Sequence, residues 1–359
     1  MLRLMDAWRP LARLMGNIIS RIVSALKGRS GSPAAANSRS DALHEQVAQA
    51  IHGMTRMEHV TARLEEDMQS LKMLSGRIAA ASMSVKPAGT SFKEVEFQVF
   101  SQFSDDGILQ HLIHHTPIAR REFIEFGVES YAEANTRFLL MKDNWRGLIM
   151  DGSEEFMNRV RNSGLHWRHD LTAKCAFVTP ENINDLISQA GFGGDIGLLS
   201  VDVDGMDYWI WKAIHVVHPT IVVCEYNSVF GPDAAVTIPP DNSFQRTKAH
   251  HSNLFWGVSL RALEELALEK GYNLVGVNTA GNNAFFIRKD SASPFPPRST
   301  RHVFVESMFR ESRDRDGMLT FASGEERRKI IADCAVFDLH SGSVRKLNDV
   351  WKDAGKACT

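Results

Sequence analysis

Along the first 28 residues Leu4, Trp8, Leu11, Met15, Ile18, Ile22 and Leu26 recur at spacings of three and four, with Arg3, Arg9, Arg13, Arg21 and Lys27 between them. The period predicts a basic amphipathic helix over residues 1–28, kinked at Pro10. Such a helix suits peripheral contact with an anionic membrane surface, or packing on a partner subunit. Residues 29–40 are rich in Ser, Gly and Ala and read as a linker. From Leu43 a second pattern begins. Leu43, Val47, Ala50, Met54, Met57, Thr61, Leu64, Met68, Leu71, Ser75 and Ile78 alternate spacings of four and three, interrupted in chemistry only at Thr61 and Ser75. Sustained over about five heptads, with Glu45, Arg56, Glu65, Glu66 and Lys72 off the seam, this predicts a coiled-coil helix over residues 41–84 and a homo-oligomer. The other reading is a lone amphipathic helix folded back on the globular part. Pro87 and Gly89 close the segment.

Beyond residue 92 the pattern changes to short apolar runs alternating with helical periods. "REFIEFG" (121–127), "RGLIMDG" (146–152), "IGLLSVDVDG" (196–205) and "PTIVVCEYN" (219–227) are rich in Ile, Val and Leu, and each meets an acid at its end. Fully apolar strands of this kind suit a parallel sheet covered on both faces. Between them "EANTRFLLMKD" and "PENINDLISQAG" have helical spacing, and "SLRALEELALEKG" (259–271) leads into a hairpin over 272–288. The predicted fold is α/β: a Rossmann-like, doubly wound, mostly parallel sheet ending in an antiparallel hairpin, preceded by the two N-terminal helices. It covers residues 92–290, with a C-terminal extension over 291–359.

Composition changes this picture little. Lys and Arg total 41 against 43 Asp and Glu, a net charge of −2, so no global field recruits nucleic acid and none is expected as a partner. Cys175, Cys224, Cys334 and Cys358 form no CxxC pair, which argues against a disulfide framework or a zinc site and for a reducing compartment. No run of 18 apolar residues occurs, and Asn17 and Arg21 interrupt any signal-like segment. The expected location is cytoplasmic, or peripheral at the inner face of a membrane.

The acids at the strand ends carry the chemistry. In an open parallel sheet a ligand sits beyond the carboxyl ends, where strand order reverses, so carboxylates placed there face it. Glu125 ends the first strand just before Gly127, where the backbone must turn tightly. Asp151 ends the second, at the separation expected of an acid accepting both hydroxyls of a ribose; capping of the following helix is the alternative.

"SQFSDDGIL" (101–109), "FIEFGVESYAEANT" (123–136), "NWRGLIMDGS" (144–153), "LLSVDVDGMDYWIW" (198–211) and "NNAFFIR" (282–288) occur in the order and at the spacing of the FkbM-type methyltransferase family, which the chain resembles over about residues 98–290. The segment "FRESRDRDGMLTFASGEER" (309–327) is similar to the tail of a related bacterial subgroup. The resemblance implies a class I methyltransferase fold, S-adenosylmethionine as donor, and O-methylation of a sugar, glycolipid or natural product. It implies that Glu125, Gly127 and Asn135 line the cofactor loop, that Asp151 with Gly152 holds the ribose, and that Asp202 to Asp207 form the acidic motif of a later strand, with Asp202 on the cofactor side. The loop carries one glycine, with Ser130 and Tyr131 where a permissive backbone is expected.

"VDVDG" (201–205) also matches the start of the haloacid-dehalogenase phosphatase motif, but Met206 and its late position argue against that use, and a calcium loop lacks its later acid. Asp207 is expected to cap the helix that follows. Asp204 and the turn from Glu225 to Asn227 are expected to converge above the sheet. Asp204, Glu225 and Asn227 then make a hard oxygen set suited to Mg2+ or Mn2+ that orients an acceptor hydroxyl; without metal, Asp204 or Glu225 is the general base. His250 and His251 are further candidates for that role. The long loop 227–253 is expected to form the acceptor pocket. Two functions follow: an S-adenosylmethionine-dependent O-methyltransferase acting on a glycan, glycolipid or related small acceptor, or a non-catalytic methyltransferase-like scaffold assembled at a membrane by its N-terminal helices.

Overall fold

The computed structural model describes residues 33–356, with side chains from residue 45 onward; the basic helix expected over 1–28 and Cys358 lie outside the described residues. The chain divides into two compact units, one ending at Leu71 and the other beginning at Lys72. Helix α1, Pro33–Met83, runs through the boundary and corrects the expected linker, because residues 33–40 are helical. Pro33 at the first helical position loses no intrahelical bond, and the three alanines after it are the best helix formers, which outweighs the loop-like composition. Among the described residues no helix is long and apolar enough to cross a membrane.

The second unit is built on a seven-stranded sheet. Its elements are α2 (Asp105–His115), β1 (Glu122–Phe126), α3 (Arg137–Asp143), β2 (Arg146–Asp151), α4 (Glu154–Asn162), β3 (Leu171–Cys175), α5 (Ile183–Gln189), β4 (Gly194–Val201), α6 (Asp207–Ala213) and β5 (Val217–Glu225). There follow β6 (Val236–Thr237), α7 (Leu260–Glu269), β7 (Tyr272–Val277), β8 (Asn283–Arg288), β9 (Ala335–Asp338), β10 (Ser343–Lys346) and α8 (Leu347–Lys356). Strand order is β3-β2-β1-β4-β5-β8-β7, parallel except that β8 runs against both β5 and β7. This is the predicted doubly wound sheet with its terminal hairpin, and its order reverses between β1 and β4. β3 is an addition: "LTAKC" is too short and polar for periodicity to reveal it.

Alternation along each strand divides the core in two. Ile124, Phe126, Leu199, Val222 and Cys224 pack on one face; Phe123, Leu198, Ile221, Val223 and Phe285 pack on the other. Glu125, Ser200 and Glu225 fall on the second face by the same period of two. Residues 291–356 share structure with the long loop after β5, because β9 pairs with both β10 and β6, and Trp351 donates its indole N–H to the Phe230 carbonyl.

A buried carboxylate holds the entry to α2. Asp106 Oδ2 accepts the N–H groups of Val99, Phe100 and Ser101, each at 2.8 Å, and the Ser101 hydroxyl. These bonds fold residues 99–101 around the helix start, while the close approach of the chain at Gly107 leaves a Cβ no room against the Val95 carbonyl. Asp106→Ala strands three buried N–H groups and the Ser101 hydroxyl and should destabilise the domain by about 3–5 kcal/mol, read from urea unfolding, with Asp106→Asn milder because it keeps an acceptor.

Candidate active site at the carboxyl edge of the sheet

The loop after β1 is shaped by what lies beneath it. Glu125 is buried and its two oxygens accept the N–H groups of Asn135 (2.8 Å) and Thr136 (3.1 Å) and the Thr136 hydroxyl. It therefore positions the loop rather than reaching past it. Asn135 adds a bond from Nδ2 to Ser200 on β4 at 3.1 Å. Gly127 has φ +71°, and a Cβ there would lie 1.7 Å from the Asp202 carbonyl oxygen, so only glycine lets the loop cross the end of β4. Where more glycines were expected, Glu129 (φ +45°) and Tyr131 (φ +59°) take left-handed conformations instead. Complete burial of Tyr131, whose hydroxyl meets that of Thr136 at 2.9 Å, offsets that strain.

Asp151 stands at the end of β2 in partial contact with solvent, accepting the Glu129 N–H on one oxygen (2.9 Å) and the Ser153 N–H on the other (2.7 Å). It ties the β1 loop to the start of α4, with a lone pair on each oxygen unused. Beside it Gly152 is open, and Phe177 lies against it with its ring 62% exposed. Sequence reading missed Phe177, because only the tertiary approach of β3 to β2 brings it to this rim.

The acids after β4 and β5 sort into separate roles. The register Val201↔Cys224 makes Asp202 and Glu225 neighbours across the two strand ends, close enough that each carboxyl acts on the other. Two carboxyls in contact must share a proton. Both are pushed well above the usual carboxylate range, first by burial and then by mutual repulsion with Asp204 and Asp207 nearby. Glu225 Oε2 is buried with no hydrogen-bond partner among the described residues. Asp207 accepts the N–H groups of Val203 and Gly205 at 2.9 and 3.0 Å and holds the turn; burial pushes it up to about 6.

Asp204 and Asn227 depart from the expected oxygen set. Asp204, left-handed at φ +55°, turns to solvent and pairs with Arg246 at 3.0 Å. Arg246 also bonds Glu311 and the Asn253 carbonyl (3.1 Å) and lies 4.4 Å over the Trp256 ring. Asn227 is buried in the long loop, its oxygen accepting the Val229 N–H and its amide donating to the carbonyls of Leu254 and Trp256. The metal centre expected at Asp204, Glu225 and Asn227 is thus corrected. Asn227 closes the loop, Asp204 leans toward a cation, and Asp202 is the acid that meets Glu225. Among the described residues no group of three or more His, Cys, Asp and Glu could hold a metal ion, so the arrangement does not support Mg2+ or Mn2+. His250 is engaged with Ser252 at 2.8 Å and stacks on His251.

The row of acids continues past β5. Asn283 lies opposite Glu225 in the β5–β8 register, and its amide donates to Asp105 at 2.7 Å, while Asn278 donates to the other Asp105 oxygen at 2.9 Å. Burial pushes Asp105 up to about 7. The motifs "SQFSDDGIL" and "NNAFFIR" are therefore joined by one carboxyl, which sequence order does not reveal.

No protein-family model matches the chain, and no curated protein matches it. Among solved structures, the N-terminal domain of EvdMO1 with S-adenosylhomocysteine bound is similar at 12% identity and TM-score 0.36, over 52% of this chain and 80% of that one. An O-methyltransferase from Bacillus cereus in complex with S-adenosylhomocysteine is similar at 13% identity and TM-score 0.32, over 60% and 89%. A putative caffeoyl-CoA O-methyltransferase from Staphylococcus aureus is similar at 14% identity and TM-score 0.34, over 54% and 86%. At such scores these likenesses carry no weight for function.

The raised acids make stability depend on pH in a direction opposite to that of a salt-bridged protein. Asp105, Asp202, Asp207 and Glu225 bind protons more tightly folded than unfolded. Their contribution is complete below the unfolded carboxylate range and is lost as pH rises through the folded values, up to about 7 for Asp105. Thermal unfolding midpoints should fall between pH 4 and pH 7. Asp105→Asn should flatten part of that fall, at about 1.4 kcal/mol for each pH unit a single group contributes.

Proposed function

We propose that this chain transfers the methyl group of S-adenosylmethionine to a hydroxyl of a glycan, glycolipid or related small acceptor. The observation that carries the reading is the Asp202–Glu225 pair at the carboxyl edge, Asp202 half-buried and Glu225 buried with an unpartnered oxygen, beside the point where strand order reverses. When bound, the cofactor supplies an electrophilic methyl group on a sulfonium cation. The residues present fit such a group. Gly127 allows close backbone approach where a Cβ would collide, Asp151 retains free lone pairs for two ribose hydroxyls, and Phe177 offers an exposed aromatic face next to Gly152.

The pair has two tasks. With one proton between them, Asp202 and Glu225 carry one negative charge, which complements a sulfonium and does not attract the neutral thioether left after transfer. The charged carboxylate would also take the proton of the acceptor hydroxyl, the base that methylation of that oxygen requires. The long loop and the C-terminal extension, clamped together through Arg246 and Glu311, wall the acceptor side. The rival reading, a non-catalytic methyltransferase-like scaffold, draws support from the left-handed Glu129 and Tyr131 in the cofactor loop.

Calorimetry with S-adenosylmethionine tests the reading. Binding is expected, weakened by about 2–4 kcal/mol in Asp151→Ala through loss of charge-assisted bonds. No heat at millimolar ligand overturns it.

The charge argument makes a second prediction. Affinity for S-adenosylmethionine should rise as pH increases through the raised titration of the pair, while affinity for S-adenosylhomocysteine should change little. Glu225→Gln should remove the difference and, once an acceptor is found, lower turnover by about 10²–10⁴-fold. Equal pH profiles for the two ligands would place the sulfonium away from these acids.

A further inference from the structure

Helix α1 leaves a long apolar stripe in solvent. Ile51, Met57, Val60, Leu64, Met68, Leu71, Leu74 and Ile78 are each more than half exposed, and Met57, Leu64, Leu71 and Ile78 follow one another at intervals of seven. In proteins most of a helix's stability comes from packing an apolar face rather than from propensity. At its last turns the helix has two distinct apolar sides. Gly76, Ala80 and Met83 are buried, with Gly76 so close to Val99 and Phe138 that a Cβ would lie within 3 Å of both side chains. Leu74 and Ile78 are exposed. At about 100° per residue the two sets occupy opposite sides of the helix, so the docked side leaves the other free along these turns.

We propose that the exposed stripe is the seam of a parallel, in-register helix pair formed with a second copy of this chain. A seam with a strict seven-residue repeat is complemented by a helix with the same repeat, and in register each of Met57, Leu64, Leu71 and Ile78 meets its own counterpart. Charge selects the parallel arrangement. With those four residues at d, Asp67 falls at g and Lys72 at the following e, positions that face each other between parallel chains, twice by symmetry. Glu58 and Glu65, also at e, then face Gly53 and Val60 and meet no like charge. An antiparallel pair would set e against e and bring these glutamates toward one another.

Sedimentation of the full chain at micromolar concentration should give twice the chain mass. Leu64→Lys and Leu71→Lys should each return it to the single-chain mass, with the thermal midpoint of the α/β domain unchanged, since the seam and the sheet have separate cores. Leu64→Cys and Leu71→Cys should each yield a covalent dimer on mild oxidation, beyond any formed by the native cysteines. Asp67→Lys should weaken association about tenfold, and adding Lys72→Asp should restore it. A native chain of single mass, or an unchanged mass in both lysine variants, overturns the proposal. Cross-linking at neither cysteine position, or no rescue by the charge exchange, overturns the parallel register.

Discussion

A carboxyl group taken out of water must be hydrogen-bonded or protonated, and the carboxyl edge of this sheet holds a row of them. Parallel strands end together, so register sets Asp202 beside Glu225 with Glu125 two residues back beside Ser200, and Asp105, Asp106 and Asp207 are packed in from the flanking helices. The solution differs at each position. Glu125, Asp106 and Asp207 accept backbone N–H groups and so fix the loops around them. Asp105 is held by two side-chain amides. Asp202 and Glu225 face each other instead, and there Glu225 Oε2 stays buried without a hydrogen-bond partner, as Asp106 Oδ1 does beside its backbone donors.

That division separates the acids that hold the loops from the pair proposed to react. The acids bonded to backbone shape the β1 loop, the turn after β4 and the start of α2 without taking part in chemistry. They also surround the remaining pair with a negative, water-poor environment in which a proton or a cation is strongly favoured. Arg246 is a cation close to this pair, and it is tied to Asp204, Glu311 and Trp256. The loop that carries it is bound into the C-terminal extension through the β6–β9 pairing and the Trp351 bond. Any change in the extension is therefore felt at the wall of the site.

Helix α1 has different physics. Its contribution is a repeated apolar face rather than a charged cluster, and its last turns present one side to the domain and one to solvent. A helix pair built on the exposed side would join two α/β domains.

Local period and composition determined much of this molecule. The alternation of "FIEF", "GLIM", "IGLLSV" and "TIVVC" with helical segments set the strands, their parallel class and the terminal hairpin, because burial on two faces leaves its mark within a few residues. Gly127 and Asp151 were legible for the same reason, each being dictated by a turn adjacent to its own strand. The tertiary structure decided which acids meet. Asp204 and Glu225 were the natural pair by eye, yet the β4–β5 register sets Asp202 beside Glu225 and sends Asp204 to Arg246, which enters from a loop after β5. Asn227 resembles a ligand until the loop closes on it. Phe177, the Asp105–Asn283 bond and the β6–β9 pairing likewise join segments far apart in the chain, and no local pattern encodes a contact whose partner depends on how the whole sheet assembles.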